Sequence, residues 1–172
     1  SGLLDRAEII LTKLSNEIDK PVQALNYLKE IYEIEKEWAK VIKVAKRIQS
    51  NTNNDLSDQI SHYYCELAEL ELNLMEDGSL EKAIKYVNKA LRYNTNSLRA
   101  LILLGDTSFA NKNFTDALKK YLAAYEKYPE ASYLVLKKIK KTHDNLNNNG
   151  NFLDFIKSIA HVNSPIDIFS NI

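Results

Sequence analysis

The sequence predicts an all-α protein built from pairs of helices that repeat along the chain. The clearest pair runs from Leu98 to Pro129, where two apolar segments of helical periodicity flank a polar turn at residues 111–113. A small residue, Gly105, lets the two helices approach closely, and Pro129 ends the second helix. The chain has only four glycines and three prolines, which is typical of a helical protein.

This stretch resembles the tetratricopeptide repeat (TPR), a helix-turn-helix unit of 34 residues that ends in such a proline. Ala117, Tyr121 and Ala124 lie on the expected face of the second helix, whereas Ser108 stands where the family usually has an aromatic residue. The resemblance predicts a right-handed TPR superhelix of about four repeats.

The same period recurs elsewhere in the chain and predicts the repeat boundaries. Val41 follows Ala7 by 34 residues, and Ala117 follows Ala83 by 34. The first helix of the first repeat is missing, so we expect an excised fragment of a longer solenoid. A single TPR domain is predicted, with a partial repeat at 1–20, repeats at about 21–55, 58–97, 98–131 and 132–164, and a tail at 165–172.

One interval departs from the period, because Ala83 follows Val41 by 42 residues. We assign the excess to a polar loop at Ser50–Asp58 and to a first helix one turn longer than standard. Its tight crossing would then lie at Ala68. Ser57 or Asp58 is expected to cap this helix.

Three local features complete the helical interpretation. Trp38 is expected to fill the turn between the helices of its pair, and Lys29 replaces the small residue expected at a tight crossing. The last repeat is degenerate, with Thr142 and His143 at its crossing and a turn at Asn147–Asn151.

Composition excludes several classes of function. The 23 basic and 23 acidic residues give a net charge of zero, which argues against a general nucleic-acid binder. A single cysteine, Cys65, cannot form an internal disulfide framework and fits a reducing compartment. No apolar run approaches about 18 residues, so we predict no membrane-spanning helix.

Motifs for catalysis are absent from the sequence, and we predict neither an enzyme nor a catalytic residue. His62, Cys65 and Glu66 have workable metal-ligand spacing, but the sequence offers no second cluster to complete a site. No metal is therefore expected, and a metal-handling or redox module centred on His62 and Cys65 remains an alternative. Glu66 and Asp116 are interpreted as residues of solvated helix faces.

A binding function remains, and in a TPR superhelix the first helix of each repeat lines the concave groove. The lysine run at 137–141 is either a solvated helix face or a site for an acidic partner. No pair of Lys and Arg side chains for a two-carboxylate clamp is evident, which disfavours a cochaperone. The repeat register predicts groove positions at Asn26, Glu30, His62, Cys65, Glu69, Arg99, Ile102, Asp106, Lys137 and Lys140.

Several local strings resemble the central TPR region of the lipopolysaccharide assembly protein B (LapB) family. The most specific are the His62–Ala68 string, the Glu37-Trp38 turn and the long loop before His62. The full set, in order, is Gly2–Glu8, Leu28–Tyr32, Glu37–Lys40, Val44–Arg47, His62–Ala68 and Asn96–Arg99.

The resemblance implies a non-catalytic adaptor that regulates lipopolysaccharide synthesis. In that family an N-terminal helix anchors the protein in the bacterial inner membrane, and the TPRs lie on the cytoplasmic side. The adaptor presents the lipid A deacetylase to a membrane-bound AAA+ protease for degradation, and an inner-membrane regulator opposes it.

The family also has a C-terminal rubredoxin-like domain that holds a metal and packs against the TPRs. Its cysteine pairs are not in this sequence, so no cofactor is expected here. We expect a soluble fragment that binds proteins and neither nucleic acid nor, by insertion, a membrane. The alternative is a generic TPR scaffold that binds a peptide or domain in its concave groove.

Overall fold

The computed structural model describes residues 2–17, 21–74, 76–146, 152 and 154. All regular secondary structure within those residues is helical, which confirms the predicted all-α class. The α-helices are α1 (Gly2–Glu17), α2 (Val22–Ile34), α3 (Trp38–Asn51), α4 (Ser57–Leu74), α5 (Ser79–Tyr93), α6 (Leu98–Ala110), α7 (Phe114–Lys127) and α8 (Ser132–Asn145), with a 3-10 helix at Pro129–Ala131.

Helices that follow one another in the sequence pack against one another. Within the helix pairs, α2 packs on α3 and α4 on α5; between successive pairs, α1 packs on α2, α3 on α4 and α7 on α8. Short turns join the members of each pair, such as residues 111–113 between α6 and α7. The described helices therefore form the helix-turn-helix TPR architecture that the sequence predicts.

The chain divides into two compact units, residues 1–103 and 104–172, with the division inside α6. The core of the first unit includes Val41 and Ala83, and that of the second includes Ala117; all three are fully buried. These are positions that the 34-residue register assigns to helix interfaces, so the apolar pattern identifies core residues in both units.

The turns within the helix pairs share one backbone feature. Lys36, Gly78 and Lys112 have φ angles of 57°, 81° and 57° and lie in the left-handed region. The three residues are spaced by 42 and 34 positions, as Val41, Ala83 and Ala117 are. Each turn therefore uses one left-handed residue, and glycine adopts it without strain only in the middle pair.

The loop before α4 is shorter than predicted. α3 continues to Asn51, whose side-chain amide donates to the carbonyl of Arg47 at 2.7 Å, and α4 begins at Ser57. The prediction that Ser57 or Asp58 caps α4 is wrong. The Asp55 carboxylate accepts a hydrogen bond from the Ser57 amide at 2.9 Å, because the chain turns at Asp55 before the helix begins.

α4 has the extra turn that the sequence predicts. It contains 18 residues, compared with 13 in both α2 and α6. Ala68 is fully buried, as expected of a residue at a tight helix crossing.

Trp38 makes a ring contact beyond its own turn. Its indole stacks on Tyr63 of α4, with ring centroids 6.1 Å apart and an interplanar angle of 17°. Because Trp38 is the first residue of α3, and α3 packs on α4, the side chain links two successive helix pairs.

Thr142 and His143 are both buried in α8. The predicted turn at 147–151 and the tail at 165–172 lie outside the described residues. So does the second helix of the last repeat, apart from residues 152 and 154. None of the described helices combines the length and the apolarity needed to cross a bilayer.

Candidate functional site

Three of the predicted groove residues converge in the first unit, where Arg99 of α6 reaches His62 and Glu69 of α4. Arg99 Nη2 lies 2.8 Å from Glu69 Oε2, and Arg99 Nε donates to Glu69 Oε1 at 2.9 Å. Arg99 Nη1 also donates to Glu66 Oε1 at 2.6 Å and lies 3.0 Å from His62 Nδ1. We call these four residues the Arg99 cluster.

The cluster follows from the helical spacing of α4. His62, Glu66 and Glu69 stand at positions i, i+4 and i+7, so their side chains share one face. Arginine only donates hydrogen bonds, so His62 Nδ1 accepts from Arg99 Nη1, and His62 Nε2 lies 3.4 Å from Glu66 Oε1. Both contacts orient the imidazole ring within the cluster.

The charges of the cluster do not balance. The hydrogen bonds that Arg99 donates to Glu69, and then to Glu66, hold the pKa of Arg99 above its ordinary value despite partial burial. Its one positive charge meets two carboxylates, while the His62 side chain remains 54% exposed. The surface therefore presents excess negative charge, which suits a partner that donates hydrogen bonds, beside an accessible imidazole.

A cleft of about 600 Å³ adjoins this cluster and shares His62 with it. Tyr63 donates a short hydrogen bond to Glu33, and burial followed by this contact raises the pKa of the Tyr63 hydroxyl. Lys29 spans the cleft rim, 3.2 Å from Glu33 Oε1 and 3.4 Å from Gln59 Oε1. We call it the α2–α4 cleft; it is lined by Lys29, Glu33, Trp38, Asp58, Gln59, His62 and Tyr63.

The cleft combines an apolar floor with a charged rim. The half-buried Trp38, stacked on the buried Tyr63, supplies the aromatic surface, and Lys29, Glu33 and Asp58 supply the charges. Such a mixture suits a side chain or a short segment of a protein partner.

No family model matches the chain, but its sequence is similar to proteins from two bacteria. Lipopolysaccharide assembly protein B of Escherichia coli (strain K12) is 28% identical over 167 residues, which is 97% of this chain and 42% of the relative. The protein of the same name from Haemophilus influenzae (strain ATCC 51907 / DSM 11121 / KW20 / Rd) is 26% identical over 155 residues, 90% of this chain and 38% of the relative. The chain is similar to lipopolysaccharide assembly protein B.

The resemblance to LapB that the sequence strings indicate is thereby confirmed. The chain spans less than half the length of either LapB relative. Among solved structures, the TPR2B domain in the TPR2B-domain:pHsp70 complex of yeast Sti1 is 21% identical with a TM-score of 0.49, covering 72% of this chain and 96% of that one.

The predicted residues of α2 do not join the cleft. Asn26 and Glu30 are exposed, and Glu30 lines a separate apolar groove of about 440 Å³ between α1 and α2. Lys29 and Glu33 face α4 instead. The assignment of Asn26 and Glu30 to the groove stays a prediction.

The prediction that Cys65 lies on the groove surface is wrong. Its side chain is fully buried, because it points to the core side of α4 next to the face that carries His62 and Glu66. Burial raises the pKa of the Cys65 thiol to about 11, so the thiol is protonated at neutral pH. Among the described residues, no group of three or more His, Cys, Asp or Glu side chains is placed to hold a metal ion.

Asp106 belongs to a cluster in the second unit. Its Oδ1 accepts hydrogen bonds from the Tyr121 hydroxyl at 2.5 Å and from Lys138 Nζ at 2.6 Å. Lys137 and Lys140 are exposed on α8. The groove prediction did not include Lys138. Its position could have been noticed, because Lys138 lies three residues after Val135, which is buried, and residues three apart share a helix face. In the first unit, Ile102 is half-buried on α6, three residues after Arg99.

Two carboxylates interpreted as solvated take part in ion pairs instead. Glu66 belongs to the Arg99 cluster, and Asp116 lies 2.6 Å from Lys120 Nζ and accepts from Ser108 Oγ at 2.6 Å. The i, i+4 spacing of Asp116 and Lys120 could have indicated this contact.

Proposed function

We propose that this chain is the partner-binding region of a non-catalytic TPR adaptor that regulates lipopolysaccharide synthesis. The adaptor would present the lipid A deacetylase to a membrane-bound AAA+ protease for degradation. One observation carries the proposal: the similarity to lipopolysaccharide assembly protein B extends over 97% of this chain. The TPR architecture is a protein-interaction scaffold, and it agrees with that role.

The Arg99 cluster and the α2–α4 cleft are the surface that we assign to the protein partner. The cleft offers a stacked aromatic floor, where burial of a partner side chain stabilises a complex. The neighbouring cluster offers carboxylates whose geometry Arg99 fixes before binding, which lowers the entropy cost of association.

The remaining parts of the proposal follow the resemblance. The parent protein would act at the cytoplasmic face of the bacterial inner membrane, opposed there by an inner-membrane regulator. Its own rubredoxin-like domain would pack against the TPRs and hold the metal. We assign no cofactor to the present chain.

The test is the cellular half-life of the lipid A deacetylase, measured with the parent gene intact and then depleted. We expect a clear lengthening on depletion, because an adaptor limits delivery of the substrate to the protease. A second substrate of the same protease is the control, and its half-life should not change. An unchanged deacetylase half-life would contradict the adaptor function.

The second candidate is a generic TPR scaffold for another cargo. It is favoured by the α2–α4 cleft itself, whose aromatic floor and charged rim suit many peptide segments. Under this alternative the deacetylase half-life stays constant on depletion. An unbiased pull-down with the full-length parent would then recover a different protein.

A further inference from the structure

Basic and acidic residues of the first unit lie on different helices. α3 contains four Lys or Arg residues and no Asp or Glu, and α5 contains four basic residues and one acidic residue, Glu81. α2 and α4 together contain six acidic residues and one lysine, Lys29. The unit is therefore strongly polarised, although the whole chain has a net charge of zero.

The two basic helices meet at a cluster of tyrosines. The ring of Tyr64 in α4 stacks on Tyr86 and Tyr93 of α5, with centroid distances of 6.3 Å and 5.8 Å. Lys46 of α3 lies over the rings of Tyr64 and Tyr93 at 5.4 Å and 5.2 Å, and Lys89 of α5 lies over Tyr64 at 5.4 Å. α3 and α5 therefore contribute to one continuous surface with an aromatic centre.

Five basic side chains of this surface lack an acidic partner. Within the part of the chain that the structure describes, no carboxylate oxygen lies within 4.0 Å of their nitrogens. Lys85, Lys89 and Arg92 stand at i, i+4 and i+7 on α5, so they share one helix face. We call this surface the α3–α5 face; it carries Lys43, Lys46, Lys85, Lys89 and Arg92 around the tyrosine cluster.

The other basic residues of α3 and α5 are already engaged. Lys40 lies 3.2 Å from Glu8, and Lys82 lies 3.7 Å from Glu71. Arg47 donates to the backbone carbonyl of Ser15 at 3.0 Å. On the α3–α5 face itself, Lys46 donates to the Tyr64 hydroxyl at 3.1 Å, so its hydrogen-bond partner is a hydroxyl and not a carboxylate.

We propose that the α3–α5 face binds the surface of an anionic phospholipid bilayer. Like charges on one face repel each other, and a plane of negative headgroups relieves that repulsion at all five positions simultaneously. The basic residues of this face stand on the sides of two helices, at exposed or half-buried positions that a polyanionic surface can reach. Tyrosine mixed with lysine is also a composition enriched at bilayer interfaces.

A consequence concerns orientation. The negative surface that attracts α3 and α5 repels the acidic helices α2 and α4. The first unit would therefore settle with the α2–α4 cleft directed away from the bilayer and open to a protein partner.

The test is co-sedimentation of the 172-residue chain with lipid vesicles. One vesicle set contains phosphatidylcholine alone, and the other includes about 30% phosphatidylglycerol. We expect binding to the anionic vesicles only, with a loss of at least tenfold in affinity between about 0.05 M and about 0.5 M salt. The Lys43→Glu/Lys85→Glu variant should bind at least about tenfold more weakly, because each exposed lysine contributes on the order of a fivefold change.

The matched control is Lys137→Glu/Lys140→Glu, which makes the same change in net charge on exposed positions of α8. It should retain binding within about twofold, and circular dichroism should give all variants the same helical content. Three results would overturn the proposal: no binding to anionic vesicles, equal losses in both double variants, or binding to RNA or poly-glutamate at least as tight as to the vesicles.

Discussion

α6 places one charged side chain in each unit, and the two have opposite surroundings. Arg99 in the first unit meets two carboxylates and an imidazole, whereas Asp106 in the second meets one lysine and one tyrosine hydroxyl. The charges of Asp106 and Lys138 cancel, but the Arg99 cluster retains an excess carboxylate. Both residues were predicted as groove positions, and only the first cluster combines excess charge with an exposed His62 side chain.

The second cluster depends on a small residue next to Asp106. Gly105 has no side chain, and the ring of Tyr121 packs directly on its Cα. A Cβ at Gly105 would lie 2.9 Å from Tyr121 Cζ and still closer to two other ring carbons. The close helix approach therefore also places the Tyr121 hydroxyl on Asp106, which links packing to a polar contact.

The largest effect is expected for Gly105→Ala. Alanine favours a helix over glycine by about 1 kcal/mol, but the methyl group overlaps the Tyr121 ring and forces it off Asp106. Overpacking costs about 1–3 kcal/mol and a lost charge-assisted hydrogen bond about 1.5–3 kcal/mol. We expect a net loss of about 2 kcal/mol in the free energy of unfolding, measured by urea denaturation.

The control is the same substitution in a Tyr121→Leu background, where the ring is absent. There Gly105→Ala should no longer destabilise the protein and should gain up to about 1 kcal/mol, so the double-mutant cycle should show strong coupling. An increase in stability from Gly105→Ala alone would show that the contact with Tyr121 does not limit the helix approach.

An intermediate effect is expected for Arg99→Met in the first cluster. The change leaves Glu66 and Glu69 partly buried without their cation, and we expect a loss of about 1–2 kcal/mol. The loss is small for a charged cluster because the Arg99 side chain is 32% exposed and solvent screens the charges. Urea denaturation at low and high salt measures it, and the loss should shrink as salt rises.

Arg99→Lys is the matched variant for this prediction. It keeps the positive charge but loses the two-nitrogen contact with Glu69, so it should cost about half as much. Equal stability of wild type and Arg99→Met would mean that the cluster contributes nothing to the fold.

A smaller effect is expected for Asp106→Asn, a loss of about 1 kcal/mol in the free energy of unfolding. The amide oxygen of the new side chain still accepts the hydrogen bond from Tyr121, but Lys138 loses its ion pair. Burial and then the Asp106 charge raise the pKa of Tyr121 above its ordinary value of 10.0. Ultraviolet titration should therefore show Tyr121 ionising at lower pH in the variant than in the wild type, but still above pH 10 because burial remains.

The raised pKa of Tyr121 also fixes the direction of a pH effect. Its contribution to stability is complete below pH 10 and is lost as the pH rises towards the folded-state pKa, because only the unfolded chain ionises easily. This loss should begin near pH 10 in both proteins and should end at lower pH in Asp106→Asn. Identical tyrosine titrations in the two proteins would contradict the contact.

The smallest perturbation uses no substitution and concerns Cys65, which lies beneath the Arg99 cluster. Since the thiol is buried and its pKa is raised to about 11, we expect reaction with Ellman's reagent at pH 8 to be about 100-fold slower than in denaturant. Equal reaction rates in the folded and the unfolded chain would contradict the burial of the Cys65 thiol and would show that it lies on the accessible surface.

The fold was predictable because it depends on spacing. Val41, Ala83 and Ala117 recur at the register of a helix pair and are all buried, and the extra turn of α4 follows from one long interval. The site was only partly predictable. On α4 the exposed His62 and the buried Cys65 are three residues apart, and the helical period alone does not decide which of two adjacent faces is the surface.

Partners across helices were the hardest part to predict. Glu66 and Lys138 join their clusters through side chains about 30 residues away in sequence, Arg99 and Asp106. Such contacts depend on the rotamers of long side chains, which a repeat register does not specify. The hydrogen bond from the Ser57 amide to Asp55 was missed for a related reason. It depends on the conformation of the turn before α4, which the sequence pattern does not specify.

The central claim is that the α2–α4 side of the first unit binds the protein that the adaptor delivers. The most direct test expresses the full-length parent with Gln59→Arg and His62→Arg, two exposed positions that line the α2–α4 cleft, in cells depleted of the parent gene. Lys119→Arg, an exposed position on α7, is the control variant. We predict that the lipid A deacetylase half-life stays as long as in depleted cells with the double variant and returns to normal with the control. A normal half-life with the double variant, at equal protein level, would contradict the claim.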